Sequence, residues 1–341
     1  LRSVAAPHDP GPNREALKAL ESAVEIDPKY APAWAELGQR YYYDATYSTG
    51  GEQAIQKSNE ALERATRRLS GNRCQDRVSS TQLLGHFIDQ PVQILVMTLD
   101  PNLIAAASQL VVNRVDSSVE LVKAYEEATA LVKRRPESAQ AHFTLGYVQR
   151  YAGMLEESAR QCETALALTP GNQFRSCAWA FMYLGQLDKA REFTQLDAGS
   201  EWANWATSSL LLREGKVAEA REAVKLMSNF SPYLLDLMEA AVGLRPPSEL
   251  DRIAHDAEIN GPTFADPEIT YHQGAIFAYS GKRDAAFHVL KAAIRSNYCA
   301  YSQLLTDPLL RGLHDDRRYD ELLTAAHECQ QAVQAGAPQS R

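Results

Sequence analysis

Apolar positions along the chain fall into Ala- and Leu-rich runs of helical character, and prolines punctuate those runs at a nearly constant interval. AVEIDP ends at Pro28, LVKRRP at Pro136 and ALALTP at Pro170, while Pro101, Pro136 and Pro170 stand 35 and 34 residues apart. A second marker is a glycine in a short polar turn: YAGMLEESA at Gly153, YLGQLDKA at Gly185, REGKVAEA at Gly215 and YSGKRDAA at Gly281. Those steps are 32, 30 and 66 residues, the last being two periods. A fixed period near 34 is the signature of stacked supersecondary units.

Each unit has a readable logic. The glycine ends a first helix where the chain needs a left-handed turn. A polar residue then opens a second helix, and a small residue follows in each case: Ala159, Ala190, Ala220 and Ala286. Small side chains there let two antiparallel helices approach closely. The proline after the second helix stops it by withholding a backbone donor. Such a hairpin cannot bury its apolar face alone and must stack on its neighbours.

The run APAWAELGQRY (31–41) resembles the first helix of a tetratricopeptide repeat, with Trp, Leu-Gly and Tyr in order. SAQAHFTLGYVQRYAGMLEESARQCETALALTP (138–170) resembles nearly the whole repeat, with His142 where Trp is more usual. DPEITYHQGAIFAYSGKRDAAFHVLKAAI (266–294) resembles it again, with Gly274 and Gly281 in register. The resemblance covers roughly three quarters of the chain. It implies an all-α, right-handed superhelical solenoid of antiparallel helix hairpins, about eight to nine units with some degenerate. DPLLRGLHDDRRYDELL (307–323) is similar to the closing element of the repeat regions attached to bacterial sensor proteins, namely kinases, adenylate cyclases and transcriptional regulators.

The expected organisation is a linker over 1–12, a single solenoid over 13–334 and a frayed tail over 335–341. Within the solenoid, residues 42–53 read as an enlarged hairpin loop, and 70–98 as a degenerate repeat or a partly disordered insertion. Residues 230–262 read as a weak repeat turning at the RPP of 245–247, and 299–334 as a C-terminal cap. In that cap, Asp315 or Asp316 is placed to satisfy free backbone donors of the last helix.

First helices of stacked hairpins line a concave groove, and in the tetratricopeptide family that groove binds ligands. Phasing the first helices by their glycines gives the inward positions. They are Gln39, Tyr42 and Tyr43; Phe143, Tyr147, Arg150 and Tyr151; Arg175 and Trp179, with Tyr183; Trp202, Trp205 and Arg213; and Tyr271 and Tyr279. Tyr, Trp and Arg dominate binding hot spots, so at least four of these are expected to be exposed in the groove. Tyr42, Tyr43, Arg150, Tyr151, Arg175 and Trp205 are the foremost candidates. The competing reading makes each of them core, because an aromatic at helical spacing usually packs.

The remaining chemistry narrows the function. A charge of −8 weighs against a nucleic-acid partner, which calls for a basic face. No run is long and apolar enough to span a bilayer. The chain opens with Leu1 rather than Met, as a processed product or a fragment does. Five cysteines without a CxxC pair give no zinc site by spacing. Cys162 with Cys177, and Cys299 with Cys329, are each placed to meet, either as a disulfide in an oxidising compartment or as buried thiols. The eight histidines form no HExxH pair, so no metal is expected, and His142 and His272 read as core. Nucleophile elbows, phosphate loops and dinucleotide fingerprints are absent. The sequence therefore points to a non-enzymatic scaffold without cofactor, which holds an extended segment or helix of a partner protein in its concave groove. The alternative is the regulatory region of a larger bacterial signalling protein, either cytoplasmic or extracytoplasmic, binding a small ligand or its own catalytic domain. Self-association into a homo-oligomer is a third option.

Overall fold

The computed structural model describes residues 10–70, 101–117, 120–170, 174–227, 231–264 and 266–336. The segment 70–98, read as a degenerate repeat or insertion, lies almost wholly outside them, as do most of the linker and the tail.

Among the described residues the chain is all α. A leading helix α1 (Pro10–Ile26) is followed by α2 (Ala31–Tyr47) with α3 (Gly51–Ser70), and α4 (Pro101–Ser117) with α5 (Leu121–Arg134). The next pairs are α6 (Ala139–Tyr151) with α7 (Leu155–Leu168), α8 (Ala178–Tyr183) with α9 (Leu187–Gln195), and α10 (Glu201–Arg213) with α11 (Val217–Val224). Then come α12 (Pro232–Ala241) with α13 (Pro247–Asn260), α14 (Pro267–Tyr279) with α15 (Arg283–Arg295), and α16 (Tyr301–Thr306) with α17 (Arg317–Gly336). Partners within each pair pack on one another, and successive pairs stack into a solenoid.

The local reasons match the repeat logic. Gly153, Gly185, Gly215 and Gly281 all have φ between 70° and 74°, so each supplies the left-handed turn that ends a first helix. Ala159, Ala190, Ala220 and Ala286 are buried where the two helices of a pair meet. Ser138, Ser200 and Asp266 accept backbone N–H groups and open α6, α10 and α14. Pro28, Pro136 and Pro170 each follow a helix end by two residues. Pro101 behaves differently, because it is the first residue of α4, where its missing N–H costs nothing.

The expected long loop at 42–53 is not there. The helix α2 runs through Tyr47, about a turn longer than α6 or α14, and only residues 48–50 separate it from α3. Burial of Tyr42 carries the helix past the usual turn position, and Gly50 N–H closes the turn on the Asp44 carbonyl. The weak unit does turn at the RPP: Gly243 ends α12 at φ 74° and Pro247 opens α13.

The array closes on itself. Helix α16 packs on α8, the 3₁₀ turn Pro308–Leu313 packs on α10 and α14, and α17 crosses back onto α5. Specific hydrogen bonds fix this strap. The Cys299 amide donates to the Tyr151 carbonyl at 2.8 Å, Gln330 Nε2 to the Gly153 carbonyl at 2.9 Å, and Thr306 Oγ1 to the Tyr183 carbonyl at 2.9 Å.

Candidate functional site

Closure fills the inner face that an open solenoid would offer to a ligand. Tyr42, Tyr147, Arg150, Tyr151, Arg175, Trp179, Trp202, Trp205, Arg213 and Tyr271 are buried, and Tyr43, Phe143 and Tyr279 are half-buried. The expectation of an aromatic row exposed in a concave groove is therefore corrected. The first helices do bring these residues to one axis, but α14, α16 and the turn at Pro308–Leu313 occupy the space in front of them.

Three polar clusters follow that axis. In the first, Tyr42 and Tyr147 contact the two carboxylate oxygens of Asp116, and Tyr151 reaches Asp266 Oδ1 at 2.9 Å. In the second, Arg150 donates to Glu268, which also accepts from the Tyr298 hydroxyl at 3.1 Å. In the third, Arg213 Nη2 and the Tyr271 hydroxyl both donate to Asp307 Oδ2, at 2.7 and 3.2 Å. A further pair joins Arg175 to Asp197, with the guanidinium over the Trp202 ring at 5.1 Å. Buried charges in proteins are matched in this way because an unmatched one costs several kcal/mol.

The acidic halves of these clusters were not singled out in the sequence. Asp266 had a signal, since it precedes Pro267 at the start of a first helix, where a capping carboxylate belongs. Asp307 had the same one, since it precedes Pro308 and accepts the Leu309 backbone N–H at 3.1 Å, whereas Asp116 and Glu268 carry none, because their partners lie 74 and 118 residues away.

Burial sets the protonation of the interior. It pushes the Asp116 carboxyl up to about 7, against the pull of the Tyr42, Tyr147 and Tyr151 hydroxyls. It also raises Asp266, helped by the charges of Asp116 and Glu268. His272 packs against Trp179 with ring centroids 3.9 Å apart, and burial followed by the Arg213 and Arg150 charges holds it neutral. The expectation that His142 and His272 are core residues holds, as both are buried.

Both cysteine pairs form disulfides, Cys162–Cys177 and Cys299–Cys329. The first joins α7 to the turn before α8, and the second fixes α17 to the segment that leads into α16. Asp316 Oδ1 accepts the Arg318 backbone N–H at 3.0 Å, as expected of a cap, while Asp315 pairs with Arg283.

An accessible groove lies elsewhere, between the hairpin turns at 153–157 and 182–187 and the strap at 302–311. Its volume is about 680 Å³. Met154, Leu184, Leu187, Leu305 and Pro308 give it an apolar lining, and Glu156, Arg311, Gln330 and Gln334 are polar residues around them. Leu305 is 53% exposed there, and of the residues expected to line the concave groove, Tyr183 and Arg213 reach it. Among the described residues no group of three His, Cys, Asp or Glu side chains is arranged to hold a metal ion. No described helix is long and apolar enough to cross a membrane.

No family model matches the chain. The curated proteins contain no match either. Among solved structures, the chain is similar to one in the crystal structure of the APC/C hetero-tetramer Cut9-Hcn1. The TM-score is 0.45 and the identity 14%, covering 92% of this chain and 73% of that one.

Proposed function

We propose that this chain is a protein-binding scaffold, and that its partner docks a short helix or extended segment in the groove along the C-terminal strap. The carrying observation is the exposed side chain of Leu305 in an apolar-lined groove with Glu156, Arg311 and Gln334 around it. An apolar centre with a polar rim is the anatomy of a protein interface, and an exposed leucine in a concave setting is a candidate anchor. The inner aromatic residues support this role indirectly, by holding the strap against α8 and α14.

The test is partner capture with the parent chain, Leu305→Asp and Tyr43→Ala, each with helicity verified by circular dichroism. Loss of a partner with Leu305→Asp and its retention with Tyr43→Ala supports the groove at the strap. The reverse pattern returns the interface to the first helices. Retention by both variants rejects each groove.

The two disulfides favour a second reading alongside the first, in which the chain is an extracytoplasmic regulatory region of a larger signalling protein. Structural disulfides persist in oxidising compartments and are rare in reducing ones. Thiol tagging of the protein from its native source, with Cys162, Cys177, Cys299 and Cys329 all reactive, would remove that support.

A further inference from the structure

We infer that the chain holds a buried proton-binding site centred on Asp116, in which one carboxyl proton completes a hydrogen-bonded chain joining four units of the solenoid. The chain runs from Tyr42 on α2, through Asp116 on α4 and Tyr147 and Tyr151 on α6, to Asp266 at the start of α14. It contains four short contacts, while the Tyr42 and Tyr147 hydroxyls stand farther apart at 3.5 Å. The Tyr42 hydroxyl meets Asp116 Oδ2, and Asp116 Oδ1 lies 2.9 Å from the Tyr147 hydroxyl. The Tyr147 and Tyr151 hydroxyls are 2.9 Å apart, and the Tyr151 hydroxyl is 2.9 Å from Asp266 Oδ1.

Each of these four contacts needs a hydrogen between its oxygens, and each tyrosine hydroxyl supplies one. Three tyrosines leave one contact without a hydrogen. The missing one is supplied by a carboxyl, because the backbone N–H groups of Glu268 and Ile269 that reach Asp266 Oδ1 do not lie between any of these oxygen pairs. Asp266 Oδ1 is already an acceptor, taking the backbone N–H of Glu268 at 2.8 Å and that of Ile269 at 3.4 Å. The proton therefore belongs on Asp116 Oδ1. Asp116 then donates to Tyr147, Tyr147 to Tyr151, and Tyr151 to Asp266, while Tyr42 donates to the second oxygen of Asp116.

The charges around the site agree with this count. From α14 it is faced by Asp266 and Glu268, and from α6 by Arg150, whose charge is matched by Glu268. On its own helix, Arg114 is engaged with Glu120 and Glu127 of the next segment. Arg150 and Arg114 are thus both already opposed by carboxylates other than Asp116. Burial raises this carboxyl to about 7, in the range where a neutral medium removes the proton.

Loss of the proton leaves two carboxylates at the ends of a chain that is one hydrogen short, so one contact between α4 and α14 must open. The unfolded chain gives up this proton near the ordinary value of 3.8, and the folded chain near 7. Between these values only the fold binds it. Stability from this site consequently falls as pH rises through that window and levels off above it.

The experiment compares thermal unfolding midpoints of the parent chain, Asp116→Asn and Asp266→Asn between about pH 5 and about pH 8.5. An amide at 116 keeps an acceptor for Tyr42 and a permanent donor for Tyr147, so it imitates the protonated acid. The parent midpoint should fall relative to Asp116→Asn as pH rises, and contributions from other groups, His272 included, cancel in that difference. Parallel profiles for the parent and Asp116→Asn overturn the site, and so does flattening by Asp266→Asn alone. Should Asp116→Asn fail to fold, infrared spectra of the parent decide. A carboxylic C=O band present near about pH 6 and gone by about pH 8.5 supports the site, and its absence at both rejects it.

Discussion

Arg150 and Glu268 stand 118 residues apart in the chain, yet Arg150 Nε and Nη2 donate to the two carboxylate oxygens of Glu268 at 2.7 and 2.8 Å. Both side chains are buried, and the Arg150 guanidinium also lies over the Tyr147 ring at 4.6 Å. The pair joins the first helix of one unit to that of another four hairpins away, so it belongs to the closure of the array and not to any single repeat. Arg150→Ala strands the Glu268 carboxylate in the interior, and a loss of about 3–5 kcal/mol is expected. Adding Glu268→Gln should recover part of that, since the amide brings no charge inside and still accepts from Tyr298. Urea unfolding of the single and double variants measures both effects, and a double variant no better than the single one would contradict the account.

Gly153 and Gly185 occupy equivalent turns with nearly equal φ, 72° and 70°, but their surroundings differ. A Cβ on Gly153 would stand 2.3 Å from the Cys299 carbonyl oxygen, whereas one on Gly185 meets nothing within 4 Å. Gly185→Ala should therefore cost only the left-handed backbone strain of about 1–2 kcal/mol. Gly153→Ala carries the same strain and must also push the strap away, so its loss should be clearly the larger. Equal unfolding free energies for the two variants would mean that the strap yields without cost.

The Cys299–Cys329 disulfide closes a loop with a sequence separation of 30. Cross-links of this kind stabilise by about 2–4 kcal/mol. Cys299→Ala with Cys329→Ala should lower stability in that range and raise protease sensitivity around residues 299–336 before the rest of the chain. Uniform protection along the chain in a proteolysis time course would show that the hydrogen bonds at Gly153 and Tyr183 hold the strap without it.

What the sequence made legible was local. Gly153, Gly185, Gly215 and Gly281 are turn glycines because a left-handed residue is needed at a fixed place in every hairpin, and Ser138 and Asp266 cap helices through neighbours two or three residues away. Closure was not legible. Tyr147 and Tyr151 sit one helical turn apart whether that face meets solvent, a peptide or Asp116, and only the fold brings Asp116 there. The same ambiguity turned an expected binding groove into an interior, because Trp179 and Trp205 are as suitable for packing against His272, and Trp202 for packing against Trp179, as for holding a ligand. The length of α2 was missed for a related reason. Ser48, Thr49 and Gly50 mark a turn correctly, but the preceding Tyr-rich stretch stays helical because Tyr42 finds a buried partner 74 residues away.

His272 gives a prediction of opposite sign to that at Asp116. It is 3% exposed, its ring stacks among Trp179, Trp205 and Tyr183, and the Tyr183 hydroxyl lies 3.3 Å from its nitrogens. Burial holds it well below the ordinary 6.5, with Arg213 and Arg150 pushing the same way. On acidification below 6.5 the unfolded chain takes up a proton that the folded chain refuses, so stability falls as pH falls. The loss should approach about 1.4 kcal/mol for each pH unit below that value, until the folded histidine itself charges. His272→Phe keeps an aromatic ring against Trp179 and removes the titration, so its stability relative to the parent should improve steadily from about pH 6.5 down to about pH 5. A constant difference between the two across that range would mean that His272 is charged inside the fold, and that Asp307 or Glu268 has rearranged to meet it.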